Sequence, residues 1–161
     1  MPGSAAPTTG HALHVVVYTA HRILRGALYQ RSPIRLSDQV NLLDEDFMAL
    51  YQEQATDLAS DEAEAPSREP WYVARGEILI IHEDAAGQEQ AGSRGAGDRV
   101  QKRPVAVRCY VGPFRVEGQY YMVDLANMVT TLNTCGVAFV PLTSATITVP
   151  GRPGRVPIQT P

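Results

Sequence analysis

Apolar and polar positions follow two rhythms along this chain, and each rhythm occurs twice. The runs HVVVYTA (14–20) and VAVRCYV (105–111) are rich in β-branched and aromatic residues, the composition of strands. Each is followed after a short turn by a second such run, ILRGALYQ (23–30) and RVEGQYYM (115–122), so each pair predicts a hairpin. Gly26 and Gly118 fall inside the second strand of their hairpins. A glycine there weakens a strand unless a bulge or a close backbone approach requires it, and two at equivalent places predict that requirement.

The rhythm then changes from two to about 3.6. In SPIRLSDQVNLL (32–43) the trio Leu36, Val40 and Leu43 lines one face of a short helix, and Met128, Leu132 and Cys135 do the same in DLANMVTTLNTC (124–135). Ser32 and Asp124 are the expected N-caps, with Pro33 at the first helical position. Asn41 and Asn133 come about two turns later, where asparagine tolerates a left-handed helix end, and they are read as terminators. Alternation resumes in DFMALYQEQATD (46–57) and AFVPLTSATITV (138–149), two half-buried strands. WYVARGEILIIHED (71–84) adds a further strand after the first set, whereas RVPIQTP (155–161) is at most an edge piece.

The two sets align without gaps at a constant offset of 92, from Val15–Asp57 onto Val107–Val149. Eight of the 43 pairs are identical, among them Tyr18/Tyr110, Gly26/Gly118, Asn41/Asn133 and Leu50/Leu142. Further apolar positions match in kind, such as Leu36/Met128 and Val40/Leu132. The expected fold is mainly β, a β-rich α+β chain of two tandem pseudo-repeats. Each runs strand, strand, short helix, strand, and the pair is expected to pack into one compact small-barrel or sandwich-like domain.

Composition places the boundaries. Residues 1–12 read as an unstructured tail, 13–83 as the first unit with an acidic connector at 58–70, and 84–103 as a Gly- and Ala-rich linker. Residues 104–150 form the second unit, and 151–161 a Pro- and Gly-rich tail. A net charge of −3 disfavours a protein whose main task is gripping phosphates, although a local basic patch is compatible with it. The start MPGSAAPTTG lacks a charged segment followed by an apolar run, and no stretch reaches the roughly 18–20 apolar residues of a membrane span, so the expected compartment is cytoplasmic. Cys109 and Cys135 belong to no CxxC and are expected to be buried free thiols.

The glycine-containing hairpin followed by R-L-S-D-x-[LV]-N at 35–41 resembles an uncharacterised bacterial domain family in which an RLSD-x-LN box recurs. The resemblance covers Leu13 to Ile81 and extends only faintly to the second unit. It implies a small β-rich domain with no catalytic residues to carry over. The second unit departs from the box, with Asn127, Val129 and Thr130 where the first has Arg35, Ser37 and Asp38.

Those unmatched residues are the candidate site, because a shared fold does not account for them. Arg35, Ser37 and Asp38, extended by Asn41, are read as a partner-binding patch; the plainer alternative is a surface i,i+3 pair worth only tenths of a kcal/mol. The acidic run Asp44–Asp46 lacks calcium-loop spacing, and His11, His14, His21 and His82 form no ligand pair, so neither metal nor cofactor is expected. No G-x-S-x-G elbow or phosphate loop is present, and an enzyme is the third choice. The leading expectation is a non-enzymatic module that binds a protein partner or itself. A small nucleic-acid-associated barrel is the alternative, with Arg22, Arg25, Arg108 and Arg115 beside tyrosines, although Tyr110, Phe114, Tyr120 and Tyr121 are expected mostly in the core.

Overall fold

A computed structural model describes residues 10–30, 34–42, 45–66, 69–84, 102–123, 127–149 and 158–159. The expected caps Ser32 and Asp124, Pro33, Leu43 and Asp44, residues 1–9, 85–101 and 150–157 lie outside the described residues. The fold is mainly β, as the patterning predicts. Its contacts divide the chain into two compact units, residues 1–88 and 89–161.

In the first unit β1 (His11–Tyr18), β2 (Arg22–Gln30), α1 (Leu36–Leu42) and β3 (Phe47–Asp57) follow one another, then β4 (Trp71–Ala74), a 3-10 turn (Arg75–Glu77) and β5 (Ile80–Glu83). All pairings are antiparallel, in the order β4-β3-β2-β1-β5. Strand β1 starts inside the expected tail because the long β2 ladder continues to Gln30, which pairs with His11. The segment 71–84 is two strands, not one: the turn at Arg75–Glu77 lets its halves add to opposite edges of the sheet.

That placement curls the sheet. Arg75 N–H still bonds the Asp46 C=O beside β3 (2.8 Å), and Leu79 N–H already bonds the Tyr18 C=O on β1 (2.9 Å). Four residue steps cover at most about 14 Å, whereas the outer slots of a flat five-stranded sheet lie about 19 Å apart. The edges must therefore bend towards each other. Val15, Val17, Leu24, Leu28, Leu50 and Val73 are buried in consequence, and Val16 and Tyr18 are buried on the opposite face of β1.

The second unit comprises β6 (Lys102–Val111), β7 (Phe114–Val123), α2 (Met128–Thr134), β8 (Thr143–Thr148) and β9 (Ile158–Gln159), in the antiparallel order β6-β7-β8-β9. Strand β6 begins two residues inside the expected linker, since Lys102 and Arg103 pair with Val123 and Met122. Strand β8 is shorter than the expected 138–149, and Pro141, standing where the first unit has Ala49, cannot donate to a ladder.

The offset of 92 is reproduced in the registers. Ile23 pairs with Thr56 and Arg115 with Thr148; Leu24 pairs with Ala55 and Val116 with Ile147; Ala27 pairs with Tyr51 and Gln119 with Thr143. Both ladders shift at the glycine, between Arg25 and Ala27 and between Glu117 and Gln119. The expectation of a bulge with close backbone approach is met at Gly118, where a Cβ would lie 3.2 Å from the Thr143 C=O and 3.3 Å from the Ala145 Cα and Cβ.

The helix ends differ from expectation. Asn41 and Asn133 lie inside the last turns of their helices and neither has a positive φ. Beyond α2 that conformation belongs to Gly136 (φ +64°), the residue type that adopts it without a Cβ penalty. Packing also separates the two helices. Leu36 and Val40 of α1 are buried, whereas α2 buries nothing: Met128 and Cys135 are half-buried and Leu132 is 41% exposed.

Candidate interaction surfaces

The sequence candidates stand on α1. Arg35 is its N-cap residue by position, since its C=O accepts the first helical bond from Gln39 N–H (2.9 Å). The equivalent residue of α2 is Asn127, whose C=O accepts from Thr131 N–H (2.8 Å) and whose Oδ1 accepts from the N–H groups of Val129 (2.9 Å) and Thr130 (3.3 Å). Asn127 is thus the true cap of α2, and Arg35 occupies a capping position with a side chain that cannot accept a hydrogen bond. Arg35 and Asp38 are exposed, whereas Ser37 and Asn41 are half-buried on the flank of the buried face. Among the described residues Arg35 and Asp38 form no ion pair with each other. The box therefore presents two separate exposed charges and two flanking polar groups.

A residue the sequence reading passed over attaches this helix. Gln30 is buried at the end of β2, and its Nε2 donates to the Ile34 C=O (3.2 Å) and to Gln39 Oε1. The available signal was a glutamine at an inward strand position, where a buried amide requires partners. Its equivalent is the buried Met122, so the second unit lacks this polar staple to its helix.

The second unit offers a different surface. Arg108 and Tyr110 on β6 share one sheet face with Arg115 and Tyr121 on β7, as their register with Glu117, Arg115 and Pro104 requires. Tyr110 is 69% and Tyr121 46% exposed, against the expectation that they are core; Phe114 is fully buried on the other face. Glu117 accepts from Arg108 Nε and lies 3.8 Å from Arg115, so one carboxylate serves both cations. In the first unit Arg22 pairs with Glu64 (2.9 Å) and Arg25 with Asp84 (3.0 Å).

Titratable groups are otherwise dispersed. His11, His14 and His21 are exposed, while His82 packs its ring 5.7 Å from that of Tyr18, with the Tyr18 hydroxyl 3.3 Å from Nε2. Among the described residues no group of three or more His, Cys, Asp or Glu stands together. Both cysteines are free but only half-buried, a correction to the expectation of buried thiols, since Cys109 lies on an outer strand and Cys135 beside the exposed α2. Burial nevertheless pushes the Cys109 thiol up from its ordinary pKa. No described helix is long and apolar enough to cross a membrane.

No family model, curated protein or solved structure matches this chain.

Proposed function

We propose that the chain is a non-enzymatic interaction module, built from two copies of one ββαβ unit and working in the cytoplasm, in which the first copy is the scaffold and the second the binding surface. The observation that carries this is the unequal burial of equivalent positions. Fifteen of the apolar residues buried among those described belong to the first unit and five to the second. Seven large apolar side chains of the second unit are exposed among the described residues, Tyr110, Tyr121, Val123, Val129 and Leu132 among them, against Ile34, Leu42, Phe47 and Tyr72 in the first. Exposed aromatic and aliphatic side chains on a small domain are characteristic of protein-binding sites, where tyrosine in particular supplies contact area at low entropic cost. The α1 patch of Arg35, Ser37, Asp38 and Asn41 is the smaller, polar part of the same function.

Pull-down with the full chain tests it. Tyr110→Ser with Tyr121→Ser should abolish capture of the partner, while Arg35→Ala with Asp38→Ala should weaken it. Unchanged capture by both double variants would reject both surfaces. A second reading, binding of single-stranded nucleic acid, is favoured by the placement of Arg108 and Arg115 beside exposed Tyr110, with Tyr121 further along the same face. The shared Glu117 and the net charge of −3 weigh against it. Single-strand binding that falls steeply with salt and disappears in the tyrosine variant would make it the function.

A further inference from the structure

The edges of the two sheets are not alike. Strands β4 and β5 have four residues each and β9 has two, short enough to leave little edge for another chain. Strand β6 has ten, Lys102–Val111, and among the described residues nothing pairs with its outer side. Its equivalent β1 is not an edge at all. There β5 fills the slot, with Val15, Val16, Val17 and Tyr18 opposite Glu83, His82, Ile81 and Ile80.

We infer that β6 is an acceptor edge for one extended antiparallel segment of a partner protein, apolar and acidic in composition, which takes the place that β5 takes on β1. This deepens the interaction reading above and rests on it. At the offset of 92 the filled positions Val15 to Tyr18 become Val107, Arg108, Cys109 and Tyr110. The bonding side carries over as well. The C=O groups of His14 and Tyr18 accept from Asp84 N–H (2.8 Å) and Leu79 N–H (2.9 Å), so those residues point their amide groups outwards. Their equivalents Ala106 and Tyr110, with Arg108 between them, then turn theirs to the open edge, since alternate residues of an antiparallel strand bond to the same side. Pro104 falls in this set, where its missing N–H breaks no bond to β7.

Charge selects the occupant. Strand β6 carries Lys102, Arg103 and Arg108 and no acidic residue. Pairing with the β6 of a second copy would bring these cations together along one seam, a recognised device against self-association. An acidic segment meets a strand of this net charge favourably, even with Glu117 of β7 already accepting from Arg108, and β5 itself ends in Glu83, with Asp84 next. The segment should place a branched apolar side chain beside Cys109, as Ile81 lies beside Val17, and a carboxylate beside Arg108.

A capped synthetic peptide of the sequence Ile78–Asp84 carrying His82→Glu is the probe, titrated into the full chain. It should slow hydrogen exchange at the amides of Ala106, Arg108 and Tyr110. The same peptide with His82→Lys should bind roughly fivefold more weakly, an exposed attraction having become a repulsion. Ala106→Pro removes one outward N–H without costing a bond to β7, so it should keep the wild-type circular dichroism and lose the peptide. Protection confined to other strands, or undiminished binding by Ala106→Pro, overturns the inference. So does concentration-dependent dimerisation that protects the same amides without peptide, since a second copy is then the occupant. If Ala106→Pro keeps the natural partner while Tyr110→Ser with Tyr121→Ser loses it, the interaction function stands and the edge assignment alone fails.

Discussion

Leu50 and Leu142 are the same residue at the same place in the two units, yet Leu50 is fully buried and Leu142 only half-buried. The hairpins and the bulged ladders agree pair for pair, but the third strand is shortened beside Pro141 in the second unit, so that Leu142 falls before β8 while Leu50 lies inside β3. A second source of the difference is the segment that follows the third strand of the first unit, where Trp71 pairs with Leu50. Residues 71–83 return along β3, turn, and finish along β1, so one stretch of chain occupies both edges and bends the sheet over its core. No described strand does this for the second unit, whose β6 stays outermost. The first unit thus gains much of its interior from what is added to its hairpin, helix and third strand. The unit without the addition keeps more of its apolar residues near the surface.

The most severe test of this contrast truncates the shared leucine in each unit. Leu50→Ala should cost about 3 kcal/mol, the range for a fully buried leucine whose cavity collapses only partly. Leu142→Ala should cost about 1 kcal/mol or less, as solvent already reaches the site. Urea denaturation measures both, and equal losses would mean that the second unit is as closed as the first. Next come the helices. Val40 is 2% exposed and Leu132 41%, so Val40→Ala should lose about 2 kcal/mol of buried side-chain area and Leu132→Ala less than about 0.5 kcal/mol.

Gly118→Ala probes what the units share. Its Cβ would press on the Thr143 C=O and on Ala145, and overpacking of this kind costs about 1–2 kcal/mol. A neutral substitution would mean that the bulge does not need its glycine.

How far the sequence foretold these features depended on whether a neighbour in sequence or a neighbour in space decides them. The hairpins, the presence of a short helix in each unit and the bulge glycines were legible, because β-branched runs, four-then-three spacing and a glycine within a strand are local signals. The division of 71–84 was not, because the continuous apolar run at Ile78–Ile81 hides the turn at Arg75–Glu77, and only the two sheet edges show why the chain breaks there. Helix α2 misled for the same reason. Met128, Leu132 and Cys135 have the spacing of a buried face, and periodicity cannot tell whether anything covers it. Comparing the units singled out Arg35, Ser37 and Asp38 as unlike their counterparts, but it credited the caps to Ser32 and Asp124 and so overlooked that Arg35 aligns with the cap of α2, Asn127.

That last contrast can be sharpened by exchange. Asn127→Ala should lose about 1 kcal/mol, the usual worth of an N-cap, and Arg35→Asn should gain about 0.5 kcal/mol by supplying the acceptor that α1 lacks. A gain in stability with a loss of partner capture would show that Arg35 is kept for binding at the expense of its helix. A loss of stability would instead give its guanidinium a structural task.

The smallest difference lies at the end of the third strand, where Asp57 stands opposite Val149 in the alignment. Its Oδ1 accepts from the N–H groups of Ala59 (2.7 Å) and Ser60 (3.0 Å) and from the Ser60 hydroxyl (3.3 Å). The backbone bonds from Ser60 and Ala59 hold the carboxyl below its ordinary pKa of 3.8. A depressed folded-state pKa means that the charged form stabilises the fold fully above the unfolded value and less and less as the pH falls through the folded one. Thermal melts of the wild type and Asp57→Asn should therefore differ most above about pH 4 and converge in stronger acid. The amides of Ala59 and Ser60 should lose hydrogen-exchange protection over the same range, because a protonated carboxyl is the weaker acceptor. A gap that stayed constant down to the acid limit would assign the turn to hydrogen-bond geometry alone. Val149 cannot titrate, so acid should loosen this strand end in the closed unit and leave its counterpart in the open unit unchanged.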